Sequence, residues 1–529
     1  MPREIMRINA AEEILRPARE RGFDAQPALI AGTRTILYRE LAAMVNRAGN
    51  ALRALGVERE HRVLLMLNDS PELIYAYLGA IRIGAVAIAF NTRSSPAELK
   101  FAIEDSGARV LLIGGEYLEG YRAIAGHLRD RVCVAVAGGS HPDFANLDEL
   151  IAAAPDELAF EPMRPDDMAF WIYTSGTTGT PKAAVHLHRD ALGAGPYLEQ
   201  CLGVRAGDRL FSTSKLFFAY ALGNCLFGSL RLGAVSVLYP GWPDAASVAD
   251  IIGTVRPEVV FSVPTLYRNL IASGRACEPG FAAVRAYASA GERLPPALAE
   301  SWHRTTGVRI FEGMGTSETI YMAFSNSAAA YRPGSSGRVA PGAEVKLVDE
   351  HGEPVSEPGK IGTLWIRMAS ASERYWNQPE ITQRAFARAW FRTGDLYSFD
   401  AEGFWYHHGR ADEMLKISGQ WVSPAEIEEC AATIPEIAEA AAVGIPNPDG
   451  LIRLALAVVV RSDEADREQV AAKLRTTLTR HLSIYKCPRD IRFVDRLPRT
   501  ATGKLQRFRL CQELSGGATA GGGRDGADQ

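Results

Sequence analysis

Residues 173–182 read Tyr173-Thr174-Ser175-Gly176-Thr177-Thr178-Gly179-Thr180-Pro181-Lys182. The apolar run Ala169 to Tyr173 at their start reads as a strand. The chain thus leaves a strand and concentrates hydroxyls, glycines and one lysine in a short loop. Glycines let backbone N–H groups approach phosphate oxygens closely. Thr174, Ser175, Thr177, Thr178 and Thr180 add hydroxyl donors, and Lys182 adds a positive charge. Lys182 follows proline, so the spacing is not the GxxxxGK[ST] of a P-loop. A polar surface turn is the plain alternative, but ten ordered positions closing on Pro-Lys favour an anion-binding loop.

Around this loop the sequence alternates between two periodicities. Tyr38 to Leu55 carries apolar residues at helical spacing, and Val63 to Leu67 reads as a strand. Helix Leu73 to Ile83, strand Val86 to Phe90, helix Pro96 to Glu104 and strand Val110 to Ile113 follow, with strands again at Val235 to Leu238, Val259 to Val263 and Val284 to Ala288. Such alternation predicts an α/β fold with largely parallel sheets. After about residue 335 short strands at Val345 to Val348, Gly362 to Arg367 and Gly403 to Tyr406 are separated by turns, which predicts a β-rich subdomain. From about residue 411 a small α+β unit is expected, with a helix at Pro424 to Ala432, a strand at Leu454 to Val460 and a helix at Arg467 to Leu482. The expected division is a large domain over 1–410, a small mobile domain over 411–514 and a disordered Gly/Ala-rich tail over 515–529.

Bulk properties narrow the classes. A chain of 529 residues exceeds one ordinary core. A net charge of -4 gives no global basic field for nucleic acid. Seven scattered cysteines with no CxxC pair make a poor disulfide framework and a poor zinc site, and fit a reducing cytoplasm. No signal-peptide core stands at the N-terminus, and the longest apolar runs are too short to span a bilayer, so no membrane anchor is expected. His186-Leu187-His188 has metal-ligand spacing, but without further ligands a structural role is favoured.

The loop resembles the signature of the adenylate-forming superfamily, which includes acyl-CoA synthetases, luciferases and nonribosomal-peptide adenylation domains. Further motifs occur in that family's order, from about residue 30 to residue 510. Ser289-Ala290-Gly291-Glu292 resembles the segment beside the adenine. Glu312-Gly313-Met314-Gly315-Thr316-Ser317-Glu318 resembles the nucleotide motif that commonly ends Tyr-Gly-x-Thr-Glu. There Ser317 stands at the α-phosphate threonine, Glu318 at the Mg²⁺-holding glutamate, and Met314 at the tyrosine. Read alone, Gly313-Met314-Gly315 lacks the third glycine of a dinucleotide fingerprint, so NAD is rejected. Thr393-Gly394-Asp395 matches the ribose-binding aspartate, and Gly409-Arg410-Ala411-Asp412 the hinge, with Arg410 on ribose or phosphate and Asp412 as pivot. Lys504, in Pro498 to Lys504, stands at the adenylation lysine.

The resemblance implies ATP, Mg²⁺ and coenzyme A as cofactor and co-substrates. Lys182, Glu318 and Lys504 would be catalytic. Thr174, Ser175, Gly176, Thr177, Thr178, Gly179, Glu312, Gly313, Ser317, Asp395 and Arg410 would bind nucleotide, with Gly419 and Trp421 near the pantetheine. Family members are often dimers, so a homodimer is one expected assembly.

Ser214 to Asn224 most closely resembles benzoate- and hydroxybenzoate-CoA ligases. By motif position Ala219, Tyr220, Ala288, Gly315, Ile320 and Tyr321 are pocket candidates for a small aromatic carboxylate, and Tyr321 replaces a common histidine. Phe217 and Phe218 read equally well as pocket or as core. The expected reaction forms an aryl-CoA thioester through an acyl-AMP. Alternatives are a medium-chain or other carboxylate-CoA ligase and an enzyme loading a carrier protein. A luciferase-like oxygenase fits less well. A non-catalytic nucleotide-binding protein would be expected to have lost Lys504, Asp395 or Glu318.

Overall fold

A computed structural model describes residues 7–128, 131–175, 181–417, 420–446, 452–462, 465–499 and 505–516. Two large sheets dominate the first 340 residues. In the seven-stranded sheet the spatial order is Ala145–Asn146, Cys133–Ala137, Val110–Gly114, Arg62–Met66, Val86–Ala89, Met168–Ser175 and Pro181–Leu187. Neighbours are parallel except the last pair, which is antiparallel. In the nine-stranded sheet the strands Pro27–Ala31, Val235–Leu238, Arg209–Ser212, Val259–Ser262, Ala286–Ser289 and Ile310–Gly315 are parallel, and antiparallel strands close both edges. The inner parallel strands Val86–Ala89, Val110–Gly114, Val235–Leu238 and Val259–Ser262 are buried throughout, as their continuous apolar runs require.

The local signals are physical. Ser70 caps the helix Pro71–Arg82 by accepting from Leu73 N–H, with proline in the first turn where no N–H is needed. Ser95 and Glu98 form a capping box on Pro96–Ser106, and Gly107, at φ 56°, ends that helix. Leu73, Leu78 and Ile81 join Val63 and Leu65 of one sheet and Leu29 and Leu238 of the other in a single cluster. Each such side chain contributes roughly 1.5–3 kcal/mol by burial, so the two sheets are held as one unit around the helices between them.

A six-stranded antiparallel sheet, including Ala343–Val348, Gly362–Met368, Trp390–Phe399 and Trp405–Arg410, is the expected β-rich region. The strand expected at Gly403 to Tyr406 starts later, at Trp405, because Asp400 to Gly403 forms a turn with Gly403 at φ 82°. The hairpin Leu415–Ile417/Gln420–Val422 and a three-stranded sheet with the helices Pro424–Ala432 and Arg467–His481 complete the chain's regular structure up to the last helix. That helix, Arg507–Gly516, takes in Ser515 and Gly516, which the sequence assigned to the tail; 517–529 lie outside the described residues. Among the described residues no helix is long and apolar enough to cross a membrane.

Candidate active site

The signature loop joins two antiparallel strands at the edge of the seven-stranded sheet, in register Thr174 with Lys182 and Ser175 with Pro181. Gly176, Thr177, Thr178 and Gly179 lie outside the described residues. Lys182 Nζ lies 3.8 Å from Glu318 Oε1 and 4.0 Å from the Tyr375 ring centre. The Tyr375 hydroxyl donates to Glu318 Oε1 at 2.6 Å. Burial lowers the Lys182 ammonium, Glu318 and Asp412 pull it up, Arg410 pulls it down, and the net shift is downward. Lys182 and Glu318 are thus held beside each other, and Tyr375 is a partner that the sequence did not reveal.

Ser317 and Glu318 follow the strand Ile310–Gly315. The Ser317 carbonyl receives a hydrogen bond from His186 Nε2 at 2.8 Å. The other ring nitrogen lies 3.0 Å from Asp190 Oδ2, and both residues are fully buried. The His186 ring stacks on Phe170 at 4.8 Å. His188 Nδ1 accepts from Ala10 N–H at 2.9 Å. Both histidines of the His-x-His therefore have structural partners, and His186 fixes the backbone of the candidate phosphate contact.

Asp395 and Arg410 face each other across the strands Trp390–Phe399 and Trp405–Arg410. Arg410 Nη1 donates to the Thr393 carbonyl at 2.8 Å and lies 3.6 Å from Asp395 Oδ1; its Nε donates to Asp412 Oδ1 at 3.1 Å. Gly394, at φ 78°, leaves space that a Cβ would deny: such an atom would sit 2.8 Å from Arg410 Nη2. Burial raises the Asp395 carboxyl, but the His407 hydrogen bond and the charges of His407 and Arg410 outweigh it and hold it below its ordinary range. The Thr-Gly-Asp turn thus presents an ionised carboxylate next to a guanidinium.

Glu312 accepts from Leu294 N–H through Oε1, while Oε2 is buried without a partner. Burial pushes this carboxyl up to about 8. At Gly313 a Cβ would meet the Phe324 carbonyl at 2.7 Å, so the strand approaches its neighbour too closely for a side chain. Met314 packs on the cluster of Phe324 and Trp405. Arg293, next to Leu294, reaches Glu429 on the helix Pro424–Ala432 at 2.6 Å.

The acid-pocket candidates fall on three elements. Ala219 and Tyr220 begin a helix that continues as a π-helix over Leu222–Gly228, a rare form enriched at functional sites. Tyr220 meets Phe261 edge-on at 5.7 Å, and Phe261 is the register partner of Ala288. Ile320 adopts φ 55°, a strained conformation for a β-branched residue, in a tight turn closed by Tyr321 N–H on the Thr319 carbonyl at 2.7 Å. A Cβ on Gly223 would lie 2.7 Å from the Ile320 carbonyl and 3.2 Å from Tyr321 Cδ1, so this glycine allows the helix to sit on the strained turn. Gly315 is close to the same turn, its Cβ position 3.0 Å from the Tyr321 carbonyl. Tyr321 is buried and Tyr220 half-buried, and the hydroxyl oxygens of both are buried without a partner. Phe217 is core, whereas Phe218 is half-buried against it with ring centres 4.5 Å apart. Lys504 and Gly419 lie outside the described residues, and Trp421 is described only as part of the strand Gln420–Val422.

The AMP-binding enzyme family matches residues 17–376, and the AMP-binding enzyme C-terminal domain matches 426–504. A 3-hydroxybenzoate–CoA ligase of Aromatoleum sp. (strain CIB) is 49% identical over 96% of this chain and 98% of its own. The benzoate–CoA ligase of Thauera aromatica is 38% identical over 95% and 96%. Among solved structures, an anthranilate CoA ligase in complex with anthranoyl-AMP superposes with TM-score 0.90 at 33% identity, covering 97% of this chain and 98% of that one. The benzoate CoA ligase of Burkholderia xenovorans LB400 gives TM-score 0.85 at 35% identity, covering 95% and 99%.

Proposed function

The chain belongs to the AMP-binding enzyme family, and on that premise we propose that it is an acid–CoA ligase forming an aryl-CoA thioester from benzoate or a substituted benzoate, ATP and coenzyme A. The observation that carries this is the meeting of Lys182 with Glu318 at 3.8 Å, within electrostatic reach of Arg410 and Asp412. Relatives that act on benzoate and 3-hydroxybenzoate support an aromatic acid.

The chemical difficulty is to bring a carboxylate onto a triphosphate. A carboxylate oxygen attacks the α-phosphorus and pyrophosphate leaves, giving the acyl-adenylate. The coenzyme A sulfur then attacks the acyl carbonyl and AMP leaves. Preorganised cations and donors lower such barriers because charge develops where they already point. Lys182 and Lys504 supply the cations. Thr174, Ser175, Gly176, Thr177, Thr178 and Gly179 would supply hydroxyl and amide donors to the phosphates, and Ser317 would bind the α-phosphate. Asp395 holds the ribose and Arg410 the ribose or phosphate; Glu312 and Gly313 bind the nucleotide. Glu318 would hold Mg²⁺, which supplies charge neutralisation at the phosphate oxygens. Glu318, held by the Tyr375 hydroxyl beside Lys182, would offer that ion one carboxylate. Ala219, Tyr220, Ala288, Gly315, Ile320 and Tyr321 contact the acid.

For the thiol step, residues 411–514 would turn about Asp412 relative to 1–410 and bring Gly419 and Trp421 to the pantetheine. The seven free thiols support a reducing cytoplasmic location. A homodimer, implied only by family resemblance, is read directly by sedimentation. The test of the site is acid-dependent exchange of pyrophosphate into ATP. Lys504→Ala abolishes exchange while leaving thioester formation from preformed acyl-adenylate. Exchange at the wild-type rate in that variant removes Lys504 from the mechanism.

A further inference from the structure

Lys215 is 1% exposed, yet its ammonium has four oxygens around it. Nζ donates to the carbonyls of Tyr239, Pro240 and Gly241 at 2.6, 3.3 and 3.0 Å, and lies 3.2 Å from Asp69 Oδ2. Asp69 is itself buried, and its other oxygen accepts from Leu216 N–H at 3.1 Å. Three connections meet at this one point. Asp69 follows the strand Arg62–Met66 of the seven-stranded sheet; Lys215 follows Arg209–Ser212, and Tyr239 follows Val235–Leu238, both of the nine-stranded sheet. All three leave the C-terminal ends of parallel strands, where open α/β sheets bind their ligands.

A buried ion pair is a weak source of stability, because desolvating both charges offsets most of their attraction. Among the described residues, the hydrogen bonds and ion pair of Lys215 and Asp69 run to Tyr239, Pro240, Gly241 and Leu216 and to each other, none of them a candidate nucleotide contact. The pair does anchor two segments that run on toward the acid-pocket candidates. Leu216, anchored by Asp69, leads directly into Phe217, Phe218, Ala219 and Tyr220. Gly241, anchored by Lys215, leads into Trp242, whose ring centre lies 6.0 Å from that of Phe217. We propose that Lys215 and Asp69 are positioning residues for the acid site: their pair locks the turn carrying Ala219 and Tyr220, and the loop carrying Trp242, against the neighbouring sheet. This rests on the assignment of Ala219 and Tyr220 to the acid. An alkyl side chain at 215 would leave three carbonyls and a carboxylate without their donor, so the turn would move instead of closing over the gap.

The variants Lys215→Met, Asp69→Asn and the double Asp69→Asn/Lys215→Met are compared by steady-state kinetics in separate titrations of acid and ATP. The double variant, which buries no unpaired charge, shows a KM for the acid raised at least tenfold, a KM for ATP within twofold of wild type, and a changed order of preference among substituted benzoates. If it does not fold, Asp69→Asn alone, which keeps an acceptor for Leu216, carries the same measurement. An unchanged KM for the acid in a folded variant overturns the proposal, as does an equal rise in both KM values. Failure of the aromatic assignment is a different result: wild type then turns over no aromatic acid, and the two KM values are read with whichever carboxylic acid it activates.

Discussion

Lys182 Nζ stands 3.8 Å from Glu318 Oε1, and Tyr375 serves both, its ring under the ammonium at 4.0 Å and its hydroxyl on the carboxylate at 2.6 Å. Lys182 stands on the edge strand of the seven-stranded sheet and Glu318 in the turn that follows the strand Ile310–Gly315 of the nine-stranded one, so their spacing reports how the two sheets are set against each other. An ammonium and a carboxylate arranged in this way can receive a magnesium–triphosphate without either group being left unpaired beforehand.

Tyr375→Phe keeps the ring under Lys182 and removes the hydrogen bond to Glu318. A hydrogen bond to a charged group is worth roughly 1.5–3 kcal/mol, so kcat/KM for ATP falls about tenfold or more and the Mg²⁺ concentration for half-activity rises. Titrating Mg²⁺ against rate checks this; an unchanged Mg²⁺ dependence separates Tyr375 from the Glu318 role.

Asp395→Asn removes the charge facing His407 and Arg410. The expected result is a KM for ATP raised tenfold or more, together with a loss of stability of about 1–3 kcal/mol for the disturbed buried pair. Denaturant titration and ATP kinetics on the same preparation test both. Normal ATP affinity in a destabilised protein would mean that Asp395 is structural only.

Gly223→Ala places a Cβ 2.7 Å from the Ile320 carbonyl. Overpacking of this kind costs about 1–3 kcal/mol, and the strained turn at Ile320 and Tyr321 has to shift. The KM for the acid rises while that for ATP stays near wild type. Equal changes in both would detach the π-helical segment from the acid site.

Glu312 supplies a pH signature. Its carboxyl is raised from 4.5 to about 8, chiefly by burial. The folded chain therefore holds this proton more tightly than the unfolded chain, and stability from this group is complete below 4.5 and lost as pH rises through about 8. Thermal melts of the apoprotein between pH 5 and 8 show a falling limb that Glu312→Gln flattens. An identical slope in the variant contradicts a protonated Glu312.

The elements were legible where local chemistry decides them. Val235–Leu238 and Pro424–Ala432 have the expected bounds, and the helix expected from Leu73 begins two residues earlier because Ser70 caps it and Pro71 fits its first turn. The order of motifs marked Lys182, Glu318, Asp395 and Arg410, since each is embedded in a short, distinctive string. Their supports were not legible. Tyr375 is 57 residues from Glu318, His186 131 from Ser317, and Asp69 147 from Leu216. Such contacts exist only once the sheets have assembled, and an isolated tyrosine, histidine or aspartate in a sequence carries no sign of them. The strain at Ile320 was equally hidden, because isoleucine is a residue that local preference would keep out of the left-handed region.

The most direct measurement of the central claim is product formation by purified protein with ATP, Mg²⁺ and coenzyme A across a panel of acids. The panel holds benzoate, its hydroxy and amino derivatives, cyclohexanecarboxylate, cinnamates, and short and medium fatty acids, with AMP and acyl-CoA quantified together. Stoichiometric AMP and aryl-CoA, with a benzoate dominant and no turnover beyond one equivalent without coenzyme A, is the predicted result. AMP formation with fatty acids alone, or none with any aromatic acid, contradicts it.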